Sequence, residues 1–255
     1  MKIAVTGKGG TGKTTVAGVL AHYFNNDGYR VLAVDADPDA NLGSALGVPS
    51  EEVASIVPIS AMRELIKERT GADPAKFGQM FKMNPTVDDI PEKYSIDFRG
   101  IRLLVLGAIQ TGGGGCACAE NVLVQSLLSE IVLNRDEVVI VDMEAGIEHL
   151  GRATLEAIDK MLIVVEPGMR SIATATTIMR LAGEIGVTSF GIIANKVKDA
   201  GQSKWIVSKL PAAEVIGMIP YSEMILNADR EQHPLIDELD RSLKAEFLKI
   251  YEACR

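Results

Sequence analysis

The sequence predicts a doubly wound α/β protein, with a mostly parallel sheet of seven or eight strands and helices on both faces. Two observations carry this. Short β-rich runs alternate with helical stretches along most of the chain, and runs that are apolar throughout belong to strands buried on both faces of a parallel sheet. A glycine-rich segment joins the first such run to the first helical stretch, the strand–turn–helix order of a parallel unit.

The elements follow in order. Lys2–Thr6 is an apolar, alternating strand, and Thr14–Asn25 has helical spacing. Further strands are expected at Arg30–Asp35, Ile101–Leu106, Glu137–Asp142, Met161–Glu166 and Ser189–Asn195, with a seventh at Glu214–Ile219. Helices at Asn121–Leu133, Gly151–Ala157, Ser171–Ile185 and Lys204–Leu210 would cover the sheet. Pro58–Thr70 reads as a helix, and Asp73–Gly100, with three prolines and several acidic residues, as loop with short elements. The irregular stretch 48–100 is an insertion between strands, so residues 1–255 form one domain rather than two. Leu235–Tyr251 reads as a single helix with Ile236, Leu239, Leu243, Phe247 and Ile250 on one stripe. Its polar face mixes both signs of charge, which favours a closing helix packed on the sheet over a membrane-targeting one.

Composition narrows the function. The net charge is −8, from 26 Lys+Arg against 34 Asp+Glu, which argues against nonspecific binding to nucleic acid or to an anionic membrane. No apolar run approaches the length of a membrane span, and the N-terminus lacks the pattern of a signal peptide. Three cysteines make no all-paired disulfide framework, so a reducing, cytoplasmic setting is expected.

Gly7-Lys8-Gly9-Gly10-Thr11-Gly12-Lys13-Thr14 fits G-x-x-x-x-G-K-[ST] between a strand and a helix, the context that marks a P-loop nucleoside triphosphatase. Glycines let the backbone turn its N–H groups onto phosphate oxygens, and the helix N-terminus adds a favourable dipole. The ATP-binding set is Gly9, Gly10, Thr11, Gly12, Lys13, Thr14 and Thr15. Lys13 would reach the β- and γ-phosphates, and Thr14 would place its hydroxyl on Mg²⁺. Val138–Val141 closing on Asp142 is a Walker B arrangement, with Asp142 expected to contact Mg²⁺ through water. Asp142-Met143-Glu144-Ala145-Gly146 reads D-x-x-x-G, so Gly146 would move with the γ-phosphate as a switch. Asp35, Asp37 and Asp39 follow the second strand, beside the crevice at the carboxyl end of a parallel sheet. Asp35 is expected only to orient the loop, and Asp39 to be exposed.

The second loop lysine, Lys8, gives the form K-G-G-x-G-K-T. It resembles the deviant Walker A ATPases, the group of nitrogenase iron protein and of the septum-positioning, partitioning and arsenite-pump ATPases. The resemblance implies that Lys8 crosses to the partner's nucleotide in an ATP-dependent homodimer, making Lys8, Lys13 and Asp37 the catalytic set. It further implies that Asp37 orients the attacking water and helps hold Mg²⁺, that Asn195 reads the adenine edge, and that Pro220 flanks the base. Glu144 stands where the septum-positioning relatives have proline.

Behind four glycines, Gly112–Gly115, lie Cys116 and Cys118. A helix begins just after them, a placement that favours thiolate. Two thiolates one residue apart do not close a metal site. Cys254, His22, His149 and His233 lack finger-like spacing to the pair. A two-fold dimer would supply four sulfurs on its axis, suiting Zn²⁺ when tetrahedral or Ni²⁺ when nearer square planar. From the residues alone, a vicinal redox pair, reactive non-metal thiols and incidental cysteines stand beside this reading. His149 reads as a structural residue, and Cys254 as an exposed or frayed thiol near the chain end.

The P-loop, D-A-D-P at Asp35–Pro38, G-G-C-A-C-A-E-N at Gly114–Asn121, D-M-E-A-G-I-E-H-L at Asp142–Leu150 and V-E-P at Val165–Pro167 together resemble the CooC family. These ATPases mature nickel carbon monoxide dehydrogenase, and a sister branch serves acetyl-CoA synthase. The resemblance runs from Met1 to about Pro220. It implies an ATP- and Mg²⁺-dependent homodimer that binds nickel, with Zn²⁺ able to substitute, through Cys116 and Cys118 of each protomer, and that delivers it to a client nickel enzyme; the acidic net charge and the mixed C-terminal helix argue against a nucleic-acid or membrane partner. The chain departs from the family pattern around Thr111–Gly115 and at Glu144. Two other readings stand beside this one. An electron donor like nitrogenase iron protein would need a cysteine between Asp142 and Leu150, where there is none. A positioning or partitioning ATPase would need a membrane helix or a basic DNA-binding face.

Overall fold

The run KIAVTG is buried at every position and lies inside the sheet between the strands Val138–Asp142 and Lys160–Val165, as a parallel strand covered on both faces does. The computed structural model describes residues 1–255 except 74–77, 108–118, 146–151 and 232, and except the side chains of 152 and 153. In chain order the elements are β1 (Lys2–Gly7), α1 (Lys13–Asn26), β2 (Val31–Asp35), α2 (Leu42–Leu46), α3 (Ser50–Ser55), a 3₁₀ turn (Ile59–Ala61), α4 (Arg63–Thr70), α5 (Ile90–Tyr94), β3 (Ile96–Phe98), β4 (Ile101–Val105), α6 (Ala119–Asn134) and β5 (Val138–Asp142). Then come α7 (Arg152–Glu156), β6 (Lys160–Val165), α8 (Met169–Ile185), β7 (Phe190–Val197), α9 (Ala200–Lys209), β8 (Glu214–Pro220), α10 (Glu223–Glu231), α11 (Leu235–Glu238) and α12 (Arg241–Cys254).

The eight strands form one sheet in the order β3-β4-β2-β5-β1-β6-β7-β8. All neighbours run parallel except β3, which is antiparallel to β4 at the edge. One apolar layer holds Leu20 and Phe24 of α1 with Phe247 and Ile250 of α12. The other holds Leu127 and Ile131 of α6, Ile178 of α8, and Ile59, Ile66 and Ile90 from the insertion. A fully buried side chain such as Phe24 or Phe247 contributes about 1.5–3 kcal/mol over leaving it exposed.

The carboxyl-terminal rim of three adjacent strands is tied by single hydrogen bonds. Asp35 and Asp142 are register partners on β2 and β5. Beyond them, Ala36 N–H donates to the Asp142 carbonyl at 2.9 Å, Leu106 N–H to the Asp35 carbonyl at 2.8 Å, and Ser60 N–H to the Leu106 carbonyl at 3.0 Å.

Three expectations are corrected. The continuous helix Leu235–Tyr251 is two helices, because the Asp240 side chain accepts from Leu243 N–H at 2.8 Å and caps a new start. The closing role holds: Leu243, Phe247 and Ile250 are buried, and a Cβ on Gly217 of β8 would lie 2.3 Å from Ile250. The helix Pro58–Thr70 is a 3₁₀ turn followed by α4, with Met62 between them. Cys254 is not exposed or frayed: it is 6% accessible, since α12 stays helical to that residue and packs it into the core. Burial pushes its thiol up to about 11, with the Lys160 ammonium opposing. No helix among the described residues is long and apolar enough to cross a membrane.

Candidate nucleotide site

The site grows from the turn between β1 and α1. Gly7 has φ 148°, and a Cβ there would sit 2.4 Å from the Val164 carbonyl oxygen. Gly12 has φ 95°, caps α1, and would place a Cβ 2.3 Å from Asn195 Nδ2. Side chains rarely adopt such φ values, so both the backbone and its neighbours demand glycine. The turn between them is closed on one acceptor, the Lys8 carbonyl, which takes the Thr11 N–H at 3.2 Å and the Thr11 hydroxyl at 2.8 Å.

A cavity of about 660 Å³ opens over this turn. Gly7, Gly9, Gly10, Gly12, Lys13, Thr14 and Thr15 line one side. Asp37, Glu144, Asn195 and Pro220 join them from the ends of β2, β5, β7 and β8. Thr11 is fully buried behind the loop and Lys8 is half-buried; neither lines the cavity.

Lys13 Nζ stands 3.5 Å from Asp37 Oδ2, and both side chains are nearly buried. The loop after β2 is folded by its own carboxylates. Asp35 accepts from Asp37 N–H at 3.2 Å and from Leu42 N–H at 2.8 Å, and Asp37 accepts from Asp39 N–H at 3.0 Å. Asp35 therefore orients the loop, as expected, and Asp39 is exposed. Burial pushes the Asp35 carboxyl up to about 6, with the Leu42 and Asp37 N–H groups opposing.

Asp142 is fully buried, and neither carboxylate oxygen has a hydrogen-bond partner among the described residues. Burial pushes its carboxyl up to about 7; the Thr14 hydroxyl eases this without completing a hydrogen bond, Asp35 and Asp37 add to it, and Lys13 opposes it. An orphaned carboxylate beside a P-loop hydroxyl fits Mg²⁺, which binds through one or two protein oxygens, waters and substrate phosphates. No three His, Cys, Asp or Glu side chains among the described residues could hold a metal ion by themselves. Cys116, Cys118, Gly146 and His149 lie outside the described residues. His22 is structural: it is buried and its Nε2 lies 2.9 Å from the Leu46 carbonyl. His233 faces Glu238 at 3.2 Å.

Asn195 faces the phosphate loop. Its Nδ2 donates to the Thr11 carbonyl at 2.7 Å, and its Oδ1 accepts from Lys196 N–H at 2.8 Å. Sequence reasoning assigned no part to Lys196, nor to Tyr221, Ser222, Ile225, Leu226 and Asp229, which complete the far wall. The β8–α10 corner around Pro220 was the one signal in the sequence that leads to that wall.

Fold and cradle together define a P-loop nucleotide-binding protein. The sequence pattern of the CobQ/CobB/MinD/ParA nucleotide-binding domain matches residues 2–235. The carbon monoxide dehydrogenase accessory protein CooC of Rhodospirillum rubrum is 48% identical over 230 residues, 90% of this chain and 87% of that protein. An ATP-binding protein of Methanocaldococcus jannaschii is 44% identical over 253 residues, 98% of this chain and 96% of that protein. The chain belongs to the CobQ/CobB/MinD/ParA nucleotide-binding domain family and, within it, to the CooC family. Among solved structures, the MinD cell division protein of Aquifex aeolicus gives a TM-score of 0.66 at 24% identity, covering 99% of this chain and 96% of that one. A ParA family ATPase from Chlorobium tepidum gives 0.70 at 16%, covering 98% of each. At these identities the likeness bears on the fold alone.

Proposed function

We propose that this protein is an ATP-hydrolysing metallochaperone that dimerises with ATP, binds Ni²⁺ through Cys116 and Cys118 of each protomer, and assists nickel insertion into carbon monoxide dehydrogenase or acetyl-CoA synthase. The observation that carries this is a complete P-loop cradle in a chain 48% identical to a carbon monoxide dehydrogenase accessory protein. The C-x-C pair supplies two sulfurs per chain, and a two-fold dimer supplies the four that a closed site requires.

In this reading ATP lies along the cavity, with the base against Pro220 and Asn195 and the phosphates over Gly9–Thr15. Lys13 exchanges Asp37 for the phosphates, which frees the Asp37 carboxylate to orient the attacking water. Thr14, Asp37 and Asp142 would hold Mg²⁺, which neutralises phosphate charge when bound. Lys8 reaches the partner's nucleotide. Nickel is the cargo: closing the dimer brings four thiolates together, and hydrolysis separates them.

The test is the size and metal content of the purified protein with and without a non-hydrolysable ATP analogue. The expected result is an ATP-dependent dimer holding one Ni²⁺ or Zn²⁺ per two chains. Lys8→Ala should leave ATP binding in place and abolish the ATP-dependent dimer. The Cys116→Ala, Cys118→Ala double variant should lose the metal. Metal binding that survives that double variant would sink the proposal.

A further inference from the structure

The phosphate loop is gripped from outside by two consecutive side chains at the end of β7. Asn195 holds the Thr11 carbonyl. Next to it, Lys196 Nζ donates to the Gly10 carbonyl at 2.5 Å, across 186 residues of sequence. We propose that Lys196 is a positioning residue for the phosphates of the nucleotide: it fixes the shape of the loop before the nucleotide arrives.

Three observations support this. Lys196 is one of two non-glycine residues among the described residues with positive φ, at 58°. Its own N–H is held by Asn195 Oδ1 in that conformation. A β-rich chain that continued straight would not deliver consecutive side chains to the same loop, because they alternate between faces; the left-handed residue breaks that alternation. The second observation is the direction of the peptides. In a trans peptide the carbonyl and the following N–H point in opposite directions. Drawing the Thr11 carbonyl towards β7 turns the Gly12 N–H away from β7, and Gly12 lines the cavity. Drawing the Gly10 carbonyl the same way fixes the peptide whose N–H, that of Thr11, closes the turn on Lys8. The third is the counter-charge. Glu166, at the end of β6, stands 3.6 Å from Lys196 Nζ, and its backbone is anchored by the Ser171 hydroxyl, which accepts from Glu166 N–H at 3.1 Å. The ammonium is thus held, half-exposed, between the Glu166 carboxylate and the loop.

A side chain that acts on the loop backbone serves every ligand carrying a polyphosphate and reads no base. It stabilises ground state and transition state alike, so its loss raises KM and leaves kcat in place. The inference rests on the nucleotide-binding reading of the cavity.

The experiment measures kcat and KM for ATP with Mg²⁺, and the Kd of inorganic tripolyphosphate, in wild type, Lys196→Met, Lys196→Gln and Lys196→Arg, with a thermal melt of each. In Lys196→Met, KM for ATP and Kd for tripolyphosphate are expected to rise together, about fivefold, the ordinary worth of one half-exposed charge-assisted hydrogen bond, with kcat within about twofold. Lys196→Arg should recover most of the loss. Lys196→Gln, which keeps a donor, should fall between and carries the test if the Met variant fails to fold. Unchanged constants in the substituted proteins overturn the assignment even if the melting temperature drops. So does a rise confined to ATP with tripolyphosphate unaffected, which would make Lys196 a reader of the nucleoside. Wild type that binds neither ligand overturns the nucleotide reading itself, and Lys196 with it; wild type that binds both while Lys196→Met matches it overturns Lys196 alone.

Discussion

The Lys13 ammonium lies 3.5 Å from the Asp37 carboxylate, with both side chains close to fully buried. The cation proposed to meet the phosphates thus already has an anionic partner beside it. That partner is also the carboxylate proposed to orient water, so the two roles are exclusive until nucleotide binds. Asp37→Asn keeps the shape and removes the charge. It should lower kcat about 10²–10⁴-fold, the usual range for a positioned acid–base group, while ATP binding stays within a few-fold of wild type. Steady-state hydrolysis and equilibrium ATP binding, measured on the same preparation, check this; hydrolysis within threefold of wild type would remove Asp37 from the catalytic set.

Two buried carboxyls make the metal-free protein lose stability with rising pH: Asp35 and Asp142, raised from 3.8 to about 6 and about 7, against the buried His22 imidazole, which is lowered and acts the other way. A raised carboxyl keeps its proton in the folded state after the unfolded chain has released it, so stability falls as pH climbs between the two values. The penalty is absent below about pH 4 and complete above about pH 7. Asp142→Asn removes its share. Melted in EDTA, the variant should match wild type near pH 4 and exceed it at pH 8 by on the order of 1–3 kcal/mol. Binding of Mg²⁺ with nucleotide to wild type should strengthen over the same interval, because a proton must leave Asp142. An Asp142→Asn variant whose melting temperature runs parallel to wild type from pH 5 to pH 8 would contradict the assignment.

Gly12→Ala faces two obstacles at once, the φ of 95° and the Asn195 carboxamide 2.3 Å from the new methyl group. The substitution should cost roughly 1–3 kcal/mol of stability and weaken ATP binding at least tenfold, since the loop must shift away from Asn195. Differential scanning calorimetry and nucleotide titration measure the two effects separately. Gly9→Ala, where a Cβ has nothing within 4 Å and φ is not in the left-handed range, is the control and should cost much less on both counts.

Cys254 should be silent to thiol reagents in the native protein and reactive once it is unfolded, because it is buried with its thiol held up at about 11. Cys254→Ser should lower stability by about 1–3 kcal/mol through burial of a hydroxyl in an apolar site without changing metal content. Native labelling followed by peptide mapping decides it.

The parallel sheet was readable because its strands are apolar on both faces: VVIVD and MLIVV have no other place in a globular protein. The P-loop was readable because phosphate chemistry fixes both residue types and spacing. The edge strand Ile96–Phe98 was not, being three half-buried or exposed residues paired with β4 at the edge of the sheet. The break in the C-terminal helix was hidden because Leu239 continues the apolar stripe across the gap; the cap at Asp240 was a local signal outweighed by the periodicity. Burial of Cys254 depends on how far α12 stays docked, which the count of residues from a chain end does not reveal. Lys196 was beyond reach for a different reason. Its contacts with Gly10 and Glu166 span distant parts of the chain, and its conformation is set by the neighbouring Asn195.

The rim bonds between Asp142 and Ala36, Asp35 and Leu106, and Leu106 and Ser60 amount to a stiff crossbar of peptide groups. One end carries the carboxylate suited to Mg²⁺. The other ends at Gly107, where φ is 78° and a Cβ would meet Ser60 Oγ at 2.4 Å, nine residues before Cys116. Displacement of either end strains the same short set of bonds, so the nucleotide pocket and the exit of β4 at Gly107 share one mechanical frame.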